Sequence, residues 1–264
     1  MPEYEDNPAG RLRTLLIELH RTPPNTVAWD ATVRVLAPQA SASSPEALRA
    51  MTRLLELPAD IRRAVDALDE DEEEKEHLLE HLDKVETFLA NVASRNHILE
   101  QVFKVLAAGG DVPNSAAVQS LGTCSRRLHR YSPEPVIPRE EVDALIESVT
   151  TLMGDIRASS LENAAKILLL HHLHRLLQAL DLIRITGAAP VEEGLDAFRG
   201  ALSRNPEAMQ EAEQHGFTER LAAIANTIGR LFDISRGIRQ LGTETHAVIE
   251  QGAHVIEQTR HLLP

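Results

Sequence analysis

Apolar side chains recur every three or four residues along almost the whole chain, which is the spacing of amphipathic α-helices. The first such run is Pro8 to Arg21, with its leucines on one side. No stretch shows the sustained alternation of apolar and polar residues, enriched in β-branched side chains, that is typical of strands. The pattern therefore predicts an all-α fold, a multi-helix bundle of about ten or eleven helices with a long C-terminal helix.

Proline and short polar residues predict where several of these helices begin. Ser44 followed by Pro45 is a typical helix start, and Asn25 is expected to cap a shorter helix. Pro58 is expected to open a further helix. The acidic run Asp69 to Glu74 is interpreted as a solvated linker or first helical turn, where carboxylates suit the positive end of the helix dipole.

Two long runs and one proline-rich stretch organise the middle of the chain. Leu78 to Leu106 keeps the helical spacing and predicts a single long helix, bent near 94–96. Leu161 to Thr186 is apolar on most of its surface and is expected in the middle of a bundle. Between them, Pro133 to Pro138 either separates two domains or forms a loop. The predicted regions are an N-terminal helical region (1–131), a central helical bundle (132–217) and a C-terminal helix (218–264), unless all three form one domain.

The C-terminal run, Thr218 to His261, carries a heptad pattern that begins at Leu221. Seven of its twelve seam positions are leucine or isoleucine. These seven, called the seam residues below, are Leu221, Ile224, Ile228, Leu231, Ile238, Ile249 and Ile256. An unbroken helix of this length would measure roughly 67 Å, whereas a compact domain of this size is only about 45–50 Å across. The helix is therefore expected to cross the body or to form a coiled coil, and its length favours a partner.

Composition and charge narrow the classes of partner. The formal net charge is −13 and aromatic residues make up only 3% of the chain, so the sequence offers little for a nucleic acid to bind. No apolar run approaches a membrane span, and the acidic N-terminal residues do not resemble a signal peptide. A single cysteine excludes an intramolecular disulfide framework. We expect a soluble, cytoplasmic protein, and the large excess of arginine over lysine is typical of GC-rich bacterial genomes.

Three residues on the helix 161–186 are candidate metal ligands. His171 and His174 are three residues apart on one helical face, and Asp181 follows along the same face. Imidazoles at this spacing can share a metal ion, with a carboxylate as a further ligand. The alternative interpretation is that the histidines hydrogen-bond across the bundle or line its rim, because no facing helix supplies a repeated Glu-x-x-His motif.

A second histidine motif lies in the acidic part of the chain. His77, Glu80 and His81 form the pattern H-x-x-E-H, in which two histidines bind zinc and the glutamate polarises water. In this five-residue motif the chain resembles the pitrilysin-type metallopeptidases. The resemblance implies a further glutamate ligand downstream, and Glu162 has the nearest spacing. That family has a mixed α and β fold. The helical pattern of this chain therefore favours a solvated acidic helix.

The remaining candidate chemistry is weak. Cys124 lies among arginines that could lower the pKa of its thiol, or it is a small core residue. The phosphate-binding, dinucleotide-binding and nucleophile-elbow motifs are absent.

The sequence thus favours a non-enzymatic interaction or regulatory protein without a cofactor, which associates with a protein partner or with itself as a homo-oligomer through the seam residues. The alternative is a metal-dependent helical enzyme of the hydrolase type that uses His171, His174 and Asp181.

Overall fold

The computed structural model describes residues 4–38, 40–107, 111–131 and 133–232, and within these ranges the chain forms helices and no strand. The predicted all-α class is confirmed. The helices are α1 (Pro8–His20), α2 (Ala28–Leu36), α3 (Pro45–Asp66), α4 (Glu72–Leu79), α5 (Leu82–Ala93), α6 (Leu99–Ala107), α7 (Ala116–Tyr131), α8 (Arg139–Ala158), α9 (Asn163–Asp181), α10 (Ile183–Thr186), α11 (Ala189–Arg204), α12 (Pro206–Gln214) and α13, which is described over 218–232.

Two helix starts follow the sequence signals directly. The Ser44 hydroxyl accepts a hydrogen bond from the backbone N–H of Ala47 at 3.2 Å, with Pro45 as the first residue of α3. The Asp71 carboxylate accepts one from the N–H of Glu74 at 2.9 Å and so caps α4. These contacts satisfy N–H groups that have no partner inside the helix. The acidic run therefore contributes the first turn of α4.

Two predicted helix starts are wrong. Helix α2 begins at Ala28, after Val27, so Asn25 does not cap it. Pro58 lies inside α3 and opens no new helix. Proline in a helix interior removes one hydrogen bond and strains the preceding turn at a cost of about 3 kcal/mol. The helix continues because Leu57 and Ile61, on either side of Pro58, are both buried in the same core.

The predicted long helix over Leu78 to Leu106 is also wrong, because the chain turns twice within it. The first turn separates α4 from α5 at Glu80 and His81, where the backbone of His81 leaves helical geometry. The second follows α5, where Arg95 has φ 61°, a left-handed conformation that no α-helix continues through. Both turns let short amphipathic helices bury their apolar faces in one compact core.

The buried side chains form two clusters. The first contains residues between Ala9 and Leu128, and the second contains residues between Leu145 and Phe232. The proline-rich stretch lies between them in sequence. Ile185 of α10 is the exception, because it is buried in the first cluster although its sequence neighbours belong to the second. Helix α10 therefore packs between the two cores, and the domain boundaries at 131/132 and 217/218 stay predictions.

The described part of the C-terminal run is helical, and its seam residues are buried. Leu221, Ile224, Ile228 and Leu231 are between 0% and 6% exposed and pack in the second cluster. The chain's own helices therefore cover this part of the seam. The remaining seam residues, together with the full length of the helix and the coiled coil, lie outside the described residues. No helix in the described part of the chain is long and apolar enough to cross a membrane.

Candidate functional site

A groove of about 1200 Å³ lies where the two cores meet. Its walls come from α1, the connection between α2 and α3, the proline-rich stretch, α8, the end of α9, and α10. Grooves at the junction of two packed units are common places for binding sites. We therefore take this groove as the candidate functional site.

One side of the groove is held together by Arg184 of α10. Its guanidinium donates to both carboxylate oxygens of Glu18, at 2.8 and 2.7 Å, and to the backbone carbonyl of Val35 at 3.1 Å. Both bonds to Glu18 come from the same nitrogen, Nη2, while Nη1 donates to Val35, so the guanidinium is held at two of its nitrogens. Arg184 thus joins α10 to α1 and α2 of the first core.

A second arginine, Arg11 of α1, joins the proline-rich stretch to the same place. It is buried, and it donates to the carbonyl of Ile185 at 3.0 Å and to the carboxylate of Glu134 at 2.7 Å. Gly187 lies against this pair with φ +73°, and a Cβ there would lie 2.1 Å from a Glu134 carboxylate oxygen. The positive φ favours glycine at this position, and a Cβ there would also displace the Glu134 carboxylate from its place beside Arg11.

The lining of the groove is amphipathic. Val136 of the proline-rich stretch is 54% exposed, and Ile137, Ile146 and Leu182 add further apolar surface. An exposed valine at the edge of such a surface provides an apolar contact for a ligand, because its burial would be favourable by the hydrophobic effect.

The charges of the groove are only partly matched. Arg49 pairs with Glu46 at 2.9 Å, and Arg139 lies 3.9 Å from Asp143. Three further carboxylates line the groove, those of Glu5, Glu147 and Asp181, and none of them has an ion pair or side-chain hydrogen bond with any residue that the structure describes. Six acidic side chains and four arginines line the groove, so its lining is net negative.

Asp181, the last residue of α9, has a perturbed ionisation. Burial raises the pKa of its carboxyl above the usual range, Arg49 opposes the shift, Glu46 reinforces it and His174 opposes it. The side chain remains reachable from the groove, since more than a third of its surface is exposed. A partly desolvated carboxylate gains more from a cationic partner than a fully hydrated one does.

The histidines of the predicted metal site lie along the exposed side of α9. His171 and His174 are both exposed, and His174 is 2.8 Å from the side-chain nitrogen of Gln178. His171 and Asp181 are ten residues apart, which is roughly 15 Å along a helix and too far for one ion. Within the described ranges, no group of three or more histidine, cysteine, aspartate or glutamate side chains could hold a metal ion.

The five-residue zinc-peptidase pattern is interrupted by the break between α4 and α5. His77 is in the last turn of α4 and lies 3.5 Å from Glu80, whereas His81 precedes the first residue of α5. The two histidines therefore do not occupy successive turns of one helix, which is the geometry that the motif requires. Glu162 lies before α9, in the part of the chain that builds the second core.

Cys124 is buried in the first core, as one of the two interpretations predicted. Burial raises the pKa of its thiol to about 12, and the neighbouring arginines do not reverse that shift. The thiolate is the reactive form of cysteine, so this residue has no nucleophile to offer near neutral pH.

Comparison of the chain with family models, curated proteins and solved structures finds no match. The groove therefore has to be interpreted from its own residues. Of the candidate site residues predicted from the sequence, Asp181 lines this groove, and it was predicted as a metal ligand. The residues that build the groove, above all Arg11 and Arg184, carry no periodic or motif signal, because their partners are 123 to 174 positions away in the chain.

Proposed function

We propose that the chain is a non-enzymatic interaction protein that associates with a partner protein through its C-terminal amphipathic segment, and that the partner is a second copy of this chain. The association would use the seam residues that follow Phe232, namely Ile238, Ile249 and Ile256. Coiled-coil packing of such a stripe against a matching one would provide the affinity.

The observation that carries this proposal is the geometry of α13. Residues 218–232 are helical, and all four seam residues within them are buried on one face. The heptad spacing deduced from sequence therefore describes a real helical stripe over this part of the chain. Beyond Phe232 the same spacing continues in the sequence, and isoleucines at these positions gain free energy only when something covers them.

The experiment is a measurement of molecular mass at several concentrations of the full-length chain, by native mass spectrometry and by light scattering. We expect a dimer or higher oligomer for the wild-type chain. Replacing two seam residues, Ile249→Asp with Ile256→Asp, should shift the equilibrium towards the monomer, because a buried charge disrupts the seam.

The matched control replaces two glutamines outside the seam, Gln251→Asp with Gln258→Asp, in the same part of the chain. This variant adds the same charge and should keep the wild-type mass. A wild-type chain that is monomeric at every concentration, or a seam variant that associates as well as the control, would contradict the proposal.

The proposal also includes a cytoplasmic location and the absence of a nucleic-acid partner. It is supported by the single unpaired cysteine, in keeping with a reducing compartment, and by the net charge of −13. No observation in the described part of the chain favours the metal-dependent alternative with His171, His174 and Asp181 over this one.

A further inference from the structure

The proline-rich stretch gives the groove a wall of extended backbone. Glu134 and Ile137 each precede a proline, which restricts both residues to extended conformations. Pro138 itself has φ −56° and ψ 141°, which is also extended. Among the described residues, the N–H groups of Val136 and Ile137 and the carbonyls of 135–137 have no hydrogen-bond partner. This backbone can therefore pair with a second extended chain that enters the groove.

The wall is fixed at both of its ends. On one side, the N–H of Glu134 donates to the carbonyl of Asp6 at 2.7 Å, and its carboxylate accepts from Arg11 at 2.7 Å. On the other side, the carbonyl of Pro138 accepts from the N–H of Val142 at 3.1 Å, in the first turn of α8. A wall that is already ordered loses little conformational entropy when a ligand binds to it.

The size and lining of the groove indicate the chemistry of such a ligand. Its volume of about 1200 Å³ exceeds the roughly 300–1000 Å³ of typical small-molecule pockets. The lining is net negative, and the carboxylates of Glu5, Glu147 and Asp181 lie beside the exposed apolar surface of Val136. A complementary ligand therefore carries both cationic and apolar groups.

We propose that the groove binds an extended peptide segment of a partner protein, in which basic and apolar side chains alternate. The main chain of the peptide pairs with residues 135–137. Successive side chains of an extended peptide point to opposite faces, so one face presents its cations to Asp181 and Glu147 while the other packs on Val136 and Ile137. This inference goes beyond the proposed self-association and uses none of the seam residues.

The test measures binding of a synthetic peptide to the full-length chain by fluorescence anisotropy at about 150 mM salt, where long-range attraction between exposed charges is largely screened. The probe is a fluorescein-labelled six-residue peptide with blocked ends, in which arginine and valine alternate. We expect saturable binding of one peptide per chain. The same peptide with glutamate in place of arginine should not bind at the same concentrations.

Two pairs of substitutions locate the binding site. Asp181→Asn with Glu147→Gln should weaken binding at least tenfold. The matched control, Glu73→Gln with Glu76→Gln, removes the same charge from exposed positions of α4 outside the groove and should change the affinity less than twofold. General attraction to a chain of net charge −13 would instead respond equally to both pairs. All four positions are exposed, and circular dichroism checks that each variant keeps its helices.

Two modified peptides test the main-chain pairing. One is methylated at the backbone nitrogens of its arginines and the other at those of its valines. Since only alternate N–H groups of an extended peptide face one wall, one of the two should lose at least tenfold in affinity and the other should bind like the parent.

The absence of saturable binding, or an equal loss in the groove variant and the control variant, would overturn the proposal. Equal affinities of the two methylated peptides would overturn the main-chain pairing. Binding is scored per chain, so these outcomes are separate from the oligomer measurement that tests the proposed function.

Discussion

The burial of the seam within α13 predicts a specific loss of stability for Ile228→Ala. Ile228 is fully buried in the second core. The substitution removes three carbon atoms, worth about 0.8 kcal/mol each in lost burial, and it adds the cost of the cavity left behind. Alanine returns a few tenths of a kcal/mol through its higher helix propensity. We expect the free energy of unfolding to fall by about 3 kcal/mol.

Urea unfolding at 25 °C, followed by circular dichroism at 222 nm, measures this loss. With a denaturant dependence of about 3 kcal/mol per molar urea, as expected for a chain of this size, the midpoint of the transition that reports the second core should fall by about 1 M. The slope should not change, because the substitution alters the packing of the native state and leaves the exposed surface of the unfolded chain almost the same.

The matched control is Asn226→Ala, an exposed position on the same helix, which should change the free energy of unfolding by less than about 0.5 kcal/mol. A loss below about 1 kcal/mol for Ile228→Ala would refute the reasoning, since a fully buried isoleucine cannot be truncated so cheaply. If the same variant instead weakened self-association while keeping its stability, the seam at this position would be an interface between copies.

Three further measurements test other parts of the structure. The thiol of Cys124 should not react with a disulfide reagent in the native chain below about pH 10, and it should react at once in denaturant. Folding raises the pKa of this thiol to about 12, so the native state should become less stable as the pH rises above the unfolded value of about 9. Gly187→Ala should cost about 1–3 kcal/mol in thermal or urea unfolding, because alanine rarely adopts its positive φ and because the Glu134 carboxylate would have to move away from Arg11. A neutral result would contradict that geometry. Arg184→Ala should lower the free energy of unfolding by about 1–2 kcal/mol through loss of its hydrogen bonds to Glu18 and Val35, a figure already reduced because the pair is partly exposed to solvent. An unchanged stability would mean that the pair does not hold the groove together.

Local chemistry in the sequence determined the class of fold and several helix starts. The spacing of apolar residues is enough to predict helices, because each helix must present one apolar face to a core. Ser44 begins its helix as predicted, and its cap needs only a hydrogen bond to an N–H three residues away. The same short-range pattern put the seam from Leu221 to Leu231 on one helical face, but it left open whether the chain's own helices or a partner cover that face.

Tertiary structure decided everything that depends on residues far apart in the chain. Pro58 stays inside α3 because burial on both sides offsets its cost, and no local rule contains that contribution. The turn at Arg95 lets α5 and α6 pack together in the first core, whereas the apolar spacing predicted only a bend at 94–96. The groove itself depends on Arg11 and Arg184 reaching partners more than 120 positions away. The apolar periodicity of a chain predicts which side of each helix faces a core. A site between two cores forms only when those cores pack against each other, and that packing depends on contacts between residues far apart in the sequence.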